Sequence, residues 1–383
     1  MSRDLCGEPQ VITKDRGRWI RYRRRQHRRR LVLETLEERH LLAADFSFQE
    51  VADALRNDTI ESATIVTHGF QFTDDNGDSL STLAQAISER ISKVHGADSV
   101  WFLDYDIPGA GQTGVFDSTE TTLPGPAPAS GHVVLLFDWA AESNEASAGW
   151  GEAAGEALFT MLIGLGIVDV SAAPAGPNPT LHFIAHSFGS AVTSEAIERL
   201  ARFEVPVDQV TYLDPHDFNQ GIFVDGKQEL FTLGLPADYG ATVWDNVEFA
   251  DVYYQTEFFP DGRPLSGAFN KSLNDEVSGL ARHSNVWDEF YIGTVRDDTI
   301  DTGYAFSSIA RTDHPIDRPL GNFFQNQNHQ HTENILRNST PTEARLNTAA
   351  TSDQLTEEAL VNGKWKPLWQ PTTIANGTLK YGG

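Results

Sequence analysis

The segment Ala185-His186-Ser187-Phe188-Gly189 has the residue types and spacing of a serine nucleophile. A serine hydroxyl attacks only when a neighbouring base takes its proton. It is best presented on a sharp strand–turn–helix that lifts it clear of the chain on both sides. Small residues two positions before and after such a serine let the backbone pass close to its neighbours. Gly189 meets this need on one side, and Ala185 stands where a glycine is usual on the other. The competing reading is a serine that starts a helix as its N-cap.

Other residues have the types that a Ser-His-Asp mechanism needs. Asp214 follows the apolar run VTYL and precedes Pro215, so it belongs at a strand end. A carboxylate there would hold a histidine tautomer and stabilise the imidazolium; an Asp before Pro also serves as a turn residue. The base should come later, because an elbow of this kind carries the order Ser, Asp, His. His216, His283, His314, His329 and His331 are the candidates. His216 is too close to Asp214 in sequence to face the same serine, and His329 and His331 lie in the polar stretch NQNHQH. His283 precedes the apolar and aromatic segment Val286–Val295, expected to be the next strand. That places His283 on a loop at an element end, where catalytic residues commonly sit, and makes it the preferred base. His68-Gly69-Phe70 follows the β-branched run TIVT, the position of a loop that supplies an oxyanion-hole amide. The expected donors are the backbone N–H groups of Phe70 and Phe188, fixed dipoles that need no reorganisation as charge develops. His68 and His186 are read as packing and hydrogen-bonding residues.

The elements that must position these residues alternate in type. Thr64–Thr67, Ser99–Asp104, Val133–Phe137, Leu181–Ala185, Val210–Leu213 and Val247–Tyr253 read as strands. Ser79–Val94, Trp150–Val168 and Gly189–Leu200 read as helices, the first and last with apolar residues at helical spacing. Such alternation predicts βαβ units and a mostly parallel sheet. Residues 107–132, with five glycines and four prolines, and residues 215–246, dense in apolar residues, read as long irregular stretches that could wall a pocket; the second could equally be a substrate lid or a cap packed on the core. Asp74-Asp75-Asn76-Gly77-Asp78 lacks the glutamate that a calcium loop places six residues after its glycine, and reads as a solvated turn.

Composition narrows the function classes. The chain has 383 residues and a formal charge of −25. Residues 1–45 hold 12 Lys/Arg and 7 Asp/Glu, whereas the other 338 residues hold 17 and 47. The net charge of +5 on the first segment therefore sits against −30 on the body, which argues against a nucleic-acid binder. Cys6 is the single cysteine, so intrachain disulfides and CxxC metal or redox sites are excluded. The longest uncharged, largely apolar run, Ala157–Val168, falls short of the roughly 20 residues of a membrane span. Residues 21–30 carry seven arginines, and the leucines that follow are interrupted by glutamates, unlike a standard signal peptide. The stretch Leu36-Glu37-Glu38-Arg39-His40-Leu41-Leu42 resembles the LEPR-x-LL segment of bacterial exported and surface proteins, with Glu38 in place of the proline. That resemblance implies export or surface sorting.

In order along the chain, THGF, FDW, HFIAHSFGSAVTSEA, VTYLDP, FADVYYQT and HSNVWDEFY resemble the catalytic domain of pancreatic-lipase-like α/β hydrolases over roughly residues 60–295. The resemblance implies an α/β-hydrolase fold, with Ser187 as nucleophile, Asp214 as acid, His283 as base, and Phe70 and Phe188 as oxyanion amides. The chain departs from that family at Ala185, in having no cysteine in its body, and in having only about 85 residues after the matching region, with no counterpart of a C-terminal β-sandwich. Neither a lid nor a protein cofactor contact carries over. The expected organisation is a basic sorting segment over 1–45, a hydrolase domain over 46–340 and a tail over 341–383. The expected activity is hydrolysis of carboxylic esters or lipids through an acyl-enzyme, with no cofactor, metal or nucleic acid. Two alternatives remain at this level: an inert hydrolase-like surface module, and an amidase or peptidase with the same triad.

Overall fold

The computed structural model describes residues 45–70, 78–106, 114–125, 129–139, 148–170, 178–216, 222–224, 227–229, 240–310 and 318–319, and five short strands between 344 and 380. His314, His329, His331, the Asp74–Gly77 turn and the N-terminal sorting segment lie outside the described residues. So do parts of both long irregular stretches.

Among the described residues, ten strands precede residue 273. They are β1 (Thr59–Thr67), β2 (Val100–Asp106), β3 (Val115–Phe116), β4 (Ser130–Phe137), β5 (Thr180–His186), β6 (Val207–Leu213), β7 (Ile222–Val224), β8 (Lys227–Glu229), β9 (Val247–Tyr254) and β10 (Phe269–Ser272). Eight of them form one sheet in the order β10-β9-β6-β5-β1-β4-β2-β3, parallel throughout except for β3; β7 and β8 pair with each other. Parallel neighbours need crossover connections, and helices supply several of them. α1 (Phe48–Leu55) precedes β1 in the chain, and α2 (Asp78–His95) lies between β1 and β2. α3 (Ala148–Gly164) joins β4 to β5, and α4 (Gly189–Arg202) joins β5 to β6.

The two-residue strand period sends alternate side chains to two cores. Ile65, Leu135, Phe183, Ala185, Val210 and Val252 pack on one face with α1, α3 and α4. Val66, Leu136, Ile184, Leu213 and Tyr253 pack on the other with α2 and the segment 286–309. Because both faces are covered, the central strands carry near-continuous apolar runs.

The expected strand at Val286–Val295 is not one. Arg282–Asn285 forms α5, Val286–Tyr291 a single π-helical stretch, and Ile292–Arg296 forms α6. Val286, Trp287, Tyr291, Ile292 and Val295 are all buried against the second core. Their spacing of three to five residues is a helical one, and the β-branched and aromatic content that favours a strand is overridden by this packing. His283 therefore stands on a short helix. The described parts of the two irregular stretches contain β3, the start of β4, and the β7–β8 pair.

Candidate active site

Strand register decides what meets at the sheet edge. Thr67 of β1 lies opposite Phe137 of β4 and Ala185 of β5, His186 opposite Leu213 of β6, and Leu213 opposite Tyr253 of β9. His68, Asp138, Ser187, Asp214 and Gln255 thus leave the sheet at the same carboxyl edge, where β1 separates the strands that run outward in the two directions. In open α/β sheets, ligands bind in the crevice at such a reversal.

Ser187 joins β5 to α4 with φ 55°, one of three non-glycine residues in the left-handed region among the described residues; Asp214, at the end of β6, is another with φ 46°. A left-handed serine at a strand–helix junction is strained and turns its side chain away from both elements. The turn is held from outside. The Ser187 N–H donates to the Leu213 carbonyl at 3.0 Å. A side chain at Gly69 would place its Cβ 2.4 Å from the Ser187 Cβ and 2.9 Å from the Phe188 nitrogen, and one at Gly189 would lie 2.3 Å from the His68 oxygen. The two glycines therefore let the His68-Gly69-Phe70 loop lie directly on the Ser187 turn, bringing together the segments that carry the Phe70 and Phe188 amides. Ala185 is compatible with this packing, since its methyl is buried in the first core.

That loop is clamped through His68, read from sequence as a hydrogen-bonding residue, by Asp138 and Trp139, whose roles sequence alone did not single out. The His68 Nε2 bonds to Asp138 Oδ1 at 2.8 Å, and its Nδ1 lies 2.7 Å from the Gly69 oxygen. Trp139 stacks on the His68 ring, and its indole N–H donates to the His68 carbonyl at 2.9 Å.

Asp214 and His283 meet across 69 residues of sequence. The His283 Nδ1–H donates to Asp214 Oδ2 at 2.6 Å, with the carboxylate fully buried. His186, next to Ser187, donates its Nε2–H to the His283 carbonyl at 3.1 Å, so it fixes the backbone that carries the ring. His216 stands edge-on to His283, with ring centroids 6.3 Å apart, and its Nδ1 binds the Asp261 carbonyl. Burial pushes the Asp214 carboxyl up to about 7, against hydrogen bonds from Gln255 that act to lower it. Burial, with His216 adding to it, pulls His283 down to about 3. The pair binds protons as one unit, and burial disfavours its net negative form, so the upward direction governs the pair's first proton uptake.

Gln255, immediately after β9, lies within the FADVYYQT stretch, but nothing in that stretch assigned it a role. Its backbone N–H donates to Asp214 Oδ1 at 2.8 Å and its side-chain amide to Asp214 Oδ2 at 3.0 Å. Gly262 closes over the same carboxylate, where a Cβ would lie 2.1 Å from Oδ1. Among the described residues, no group of three or more His, Cys, Asp or Glu side chains is placed to hold a metal ion, and no helix is long and apolar enough to cross a membrane.

Comparison with known proteins adds a localised match and a distant structural one. A family model described as Planctomycete extracellular matches residues 27–46. The solved structure of the lin2722 gene product of Listeria innocua shares 13% identity, with a TM-score of 0.39, over 68% of this chain and 100% of that one. No curated protein matches the chain.

Proposed function

We propose that this chain is an exported carboxylic-ester hydrolase of the α/β-hydrolase fold. The observation that carries the proposal is the left-handed Ser187 at the β5–α4 junction, beside strand ends where Asp214 and His283 form a 2.6 Å hydrogen bond. In this reading the Ser187 hydroxyl attacks the acyl carbon while His283 Nε2 takes its proton. Asp214 holds Nδ1–H and stabilises the resulting imidazolium. The Phe70 and Phe188 amides receive the oxyanion. The imidazolium then protonates the departing alkoxide, leaving Ser187 acylated. His283 next removes a proton from water, which attacks the acyl carbon, and the carboxylic acid leaves as the proton returns to Ser187. No step calls for a cofactor. Export rests on the match at residues 27–46 and on the leucine-rich sorting segment within it.

The test is labelling with a fluorophosphonate probe, followed by hydrolysis of simple esters. Ser187→Ala should lose labelling and lower kcat by about 10⁶, the scale of nucleophile loss in serine proteases. Labelling that survives in Ser187→Ala places the reactive serine elsewhere. Absence of labelling in the wild-type protein favours the inert module.

A further inference from the structure

We infer that Gln255 is a positioning residue for the Asp214–His283 pair, holding the carboxylate in the orientation that receives the His283 Nδ1–H while anchoring the loop that covers it. The inference rests on the proposed hydrolase reading for its catalytic meaning, but its geometry stands independently.

Gln255 is fully buried, and both ends of its side chain are engaged. The amide nitrogen donates to Asp214 Oδ2 at 3.0 Å and lies 2.9 Å from the carbonyls of Phe258 and Pro260. The amide oxygen accepts the N–H groups of Glu257 and Phe258 at 3.1 and 3.0 Å. The Gln255 carbonyl accepts the Gly262 N–H at 2.9 Å. One side chain therefore builds the 255–262 turn around itself and aims a donor at the same Asp214 oxygen that His283 uses.

The chemical consequence follows from the donor count. Asp214 Oδ1 accepts one Gln255 N–H and Oδ2 accepts the other together with His283 Nδ1–H. A carboxylate with its oxygens fixed in this way cannot rotate away from the imidazole. Donors to the ionised form also offset part of the burial that disfavours it. The titratable groups facing Asp214 are the imidazoles of His186, His216 and His283 and the carboxyl of Asp261. None of these replaces the Gln255 amide, which carries no charge and donates at every pH.

The obvious alternative is that Gln255 only folds its loop. Gln255→Met separates the two roles. As a positioning residue, its loss should lower kcat/KM by about 10- to 100-fold, mostly in kcat, the scale known for the partners that orient metal-binding side chains. It should also move the acid limb of the kcat/KM–pH profile upward by about one unit, because a donor to the carboxylate is gone. The low-field proton resonance of His283 Nδ1–H, identified by its absence in His283→Ala, should shift in the same variant. A lowered Tm with unchanged acid limb and unchanged resonance would overturn the inference. If Gln255→Met does not fold, Gln255→Glu decides. It keeps an oxygen for the Glu257 and Phe258 amides but sets a second carboxyl against Asp214, so the acid limb should rise by at least about one unit. A wild-type kcat and acid limb in Gln255→Glu would equally overturn it. The resonance is measured without substrate. Failure of wild-type fluorophosphonate labelling would thus remove the hydrolase reading while leaving the Gln255–Asp214–His283 arrangement open to its own test.

Discussion

Ser187 holds a backbone conformation that costs an ordinary L-residue roughly 1–2 kcal/mol. It persists because the His68–Phe70 loop, Gly189 and the Leu213 carbonyl leave the turn no alternative. The strain predicts how two substitutions at this position differ. Ser187→Ala and Ser187→Gly both remove the hydroxyl, but only glycine relieves the left-handed geometry. Ser187→Gly should therefore unfold at a higher denaturant midpoint than Ser187→Ala, by about 1 kcal/mol, with both variants unreactive toward the probe. Equal midpoints would show that the turn is unstrained in solution. Much at this scale is visible in the sequence, since small-x-Ser-x-Gly between an apolar strand and an amphipathic helix marks the turn, and Asp-Pro after VTYL marks the end of β6. Gln255 is not visible in this way. The FADVYYQT stretch contains it, but its role depends on the pairing of β9 with β6 and on a turn folded around its own amide, which residue types alone do not show. His186 illustrates the same limit: its structural character is readable, but its bond to the His283 backbone needs the fold.

Among the elements, the polar residues between the sheet and the 286–309 segment form a chain. His182 Nε2–H donates to Thr211 Oγ1 at 3.0 Å, Thr211 donates to Asp251 Oδ1 at 2.6 Å, and Ser307 Oγ lies 3.1 Å from His182 Nδ1. Burial holds His182 down to about 3 and pushes Asp251 up to about 6. The two act on stability with opposite signs. A depressed histidine contributes stability that is complete above its unfolded value near 6.5 and is lost as pH falls toward 3. A raised carboxyl costs stability as pH climbs from its unfolded value near 4 through about 6. His182→Gln keeps a polar group in place but cannot gain a proton, so its stability deficit relative to wild type should be largest at pH 7.5 and shrink by pH 4. Urea denaturation at several pH values reads this, and a deficit independent of pH would mean that His182 binds its proton as readily in the fold as in the unfolded chain. These strands are legible as apolar runs, whereas the segment beyond His283 misleads. Val286–Val295 has strand-like residue types, yet it packs as a π-helical stretch and α6 because tertiary burial outweighs propensity there.

At the scale of the whole molecule, charge and apolar exposure bear on which substrates the proposed hydrolase would admit to Ser187. The exposed large apolar side chains among the described residues are Phe258, Phe259 and Leu280. Phe259 stacks edge-on with His216, and the Arg282–Glu257 ion pair ties the loop of Phe258 and Phe259 to the segment that carries Leu280 and His283. An apolar lip beside the proposed base suits an acyl or alkyl chain. If it receives the acyl chain, kcat/KM should rise from acetate toward longer esters, by up to about tenfold for each two carbons, since a buried CH₂ contributes about 0.8 kcal/mol. The charge acts independently of chain length. The full chain carries −25, and the acidic excess lies beyond residue 45. A field of that sign opposes the approach of an anionic ester and leaves a neutral one unaffected. At equal acyl length, phosphatidylglycerol should therefore be hydrolysed more slowly than a neutral glyceride at low salt. The gap should narrow between about 10 and 150 mM salt, as the screening length falls from about 30 to 8 Å. A flat response to chain length would remove the acyl role of the lip and point to small esters or amides. A preference for the neutral ester that ignores salt would locate the discrimination in contacts at the site rather than in the charge of the molecule.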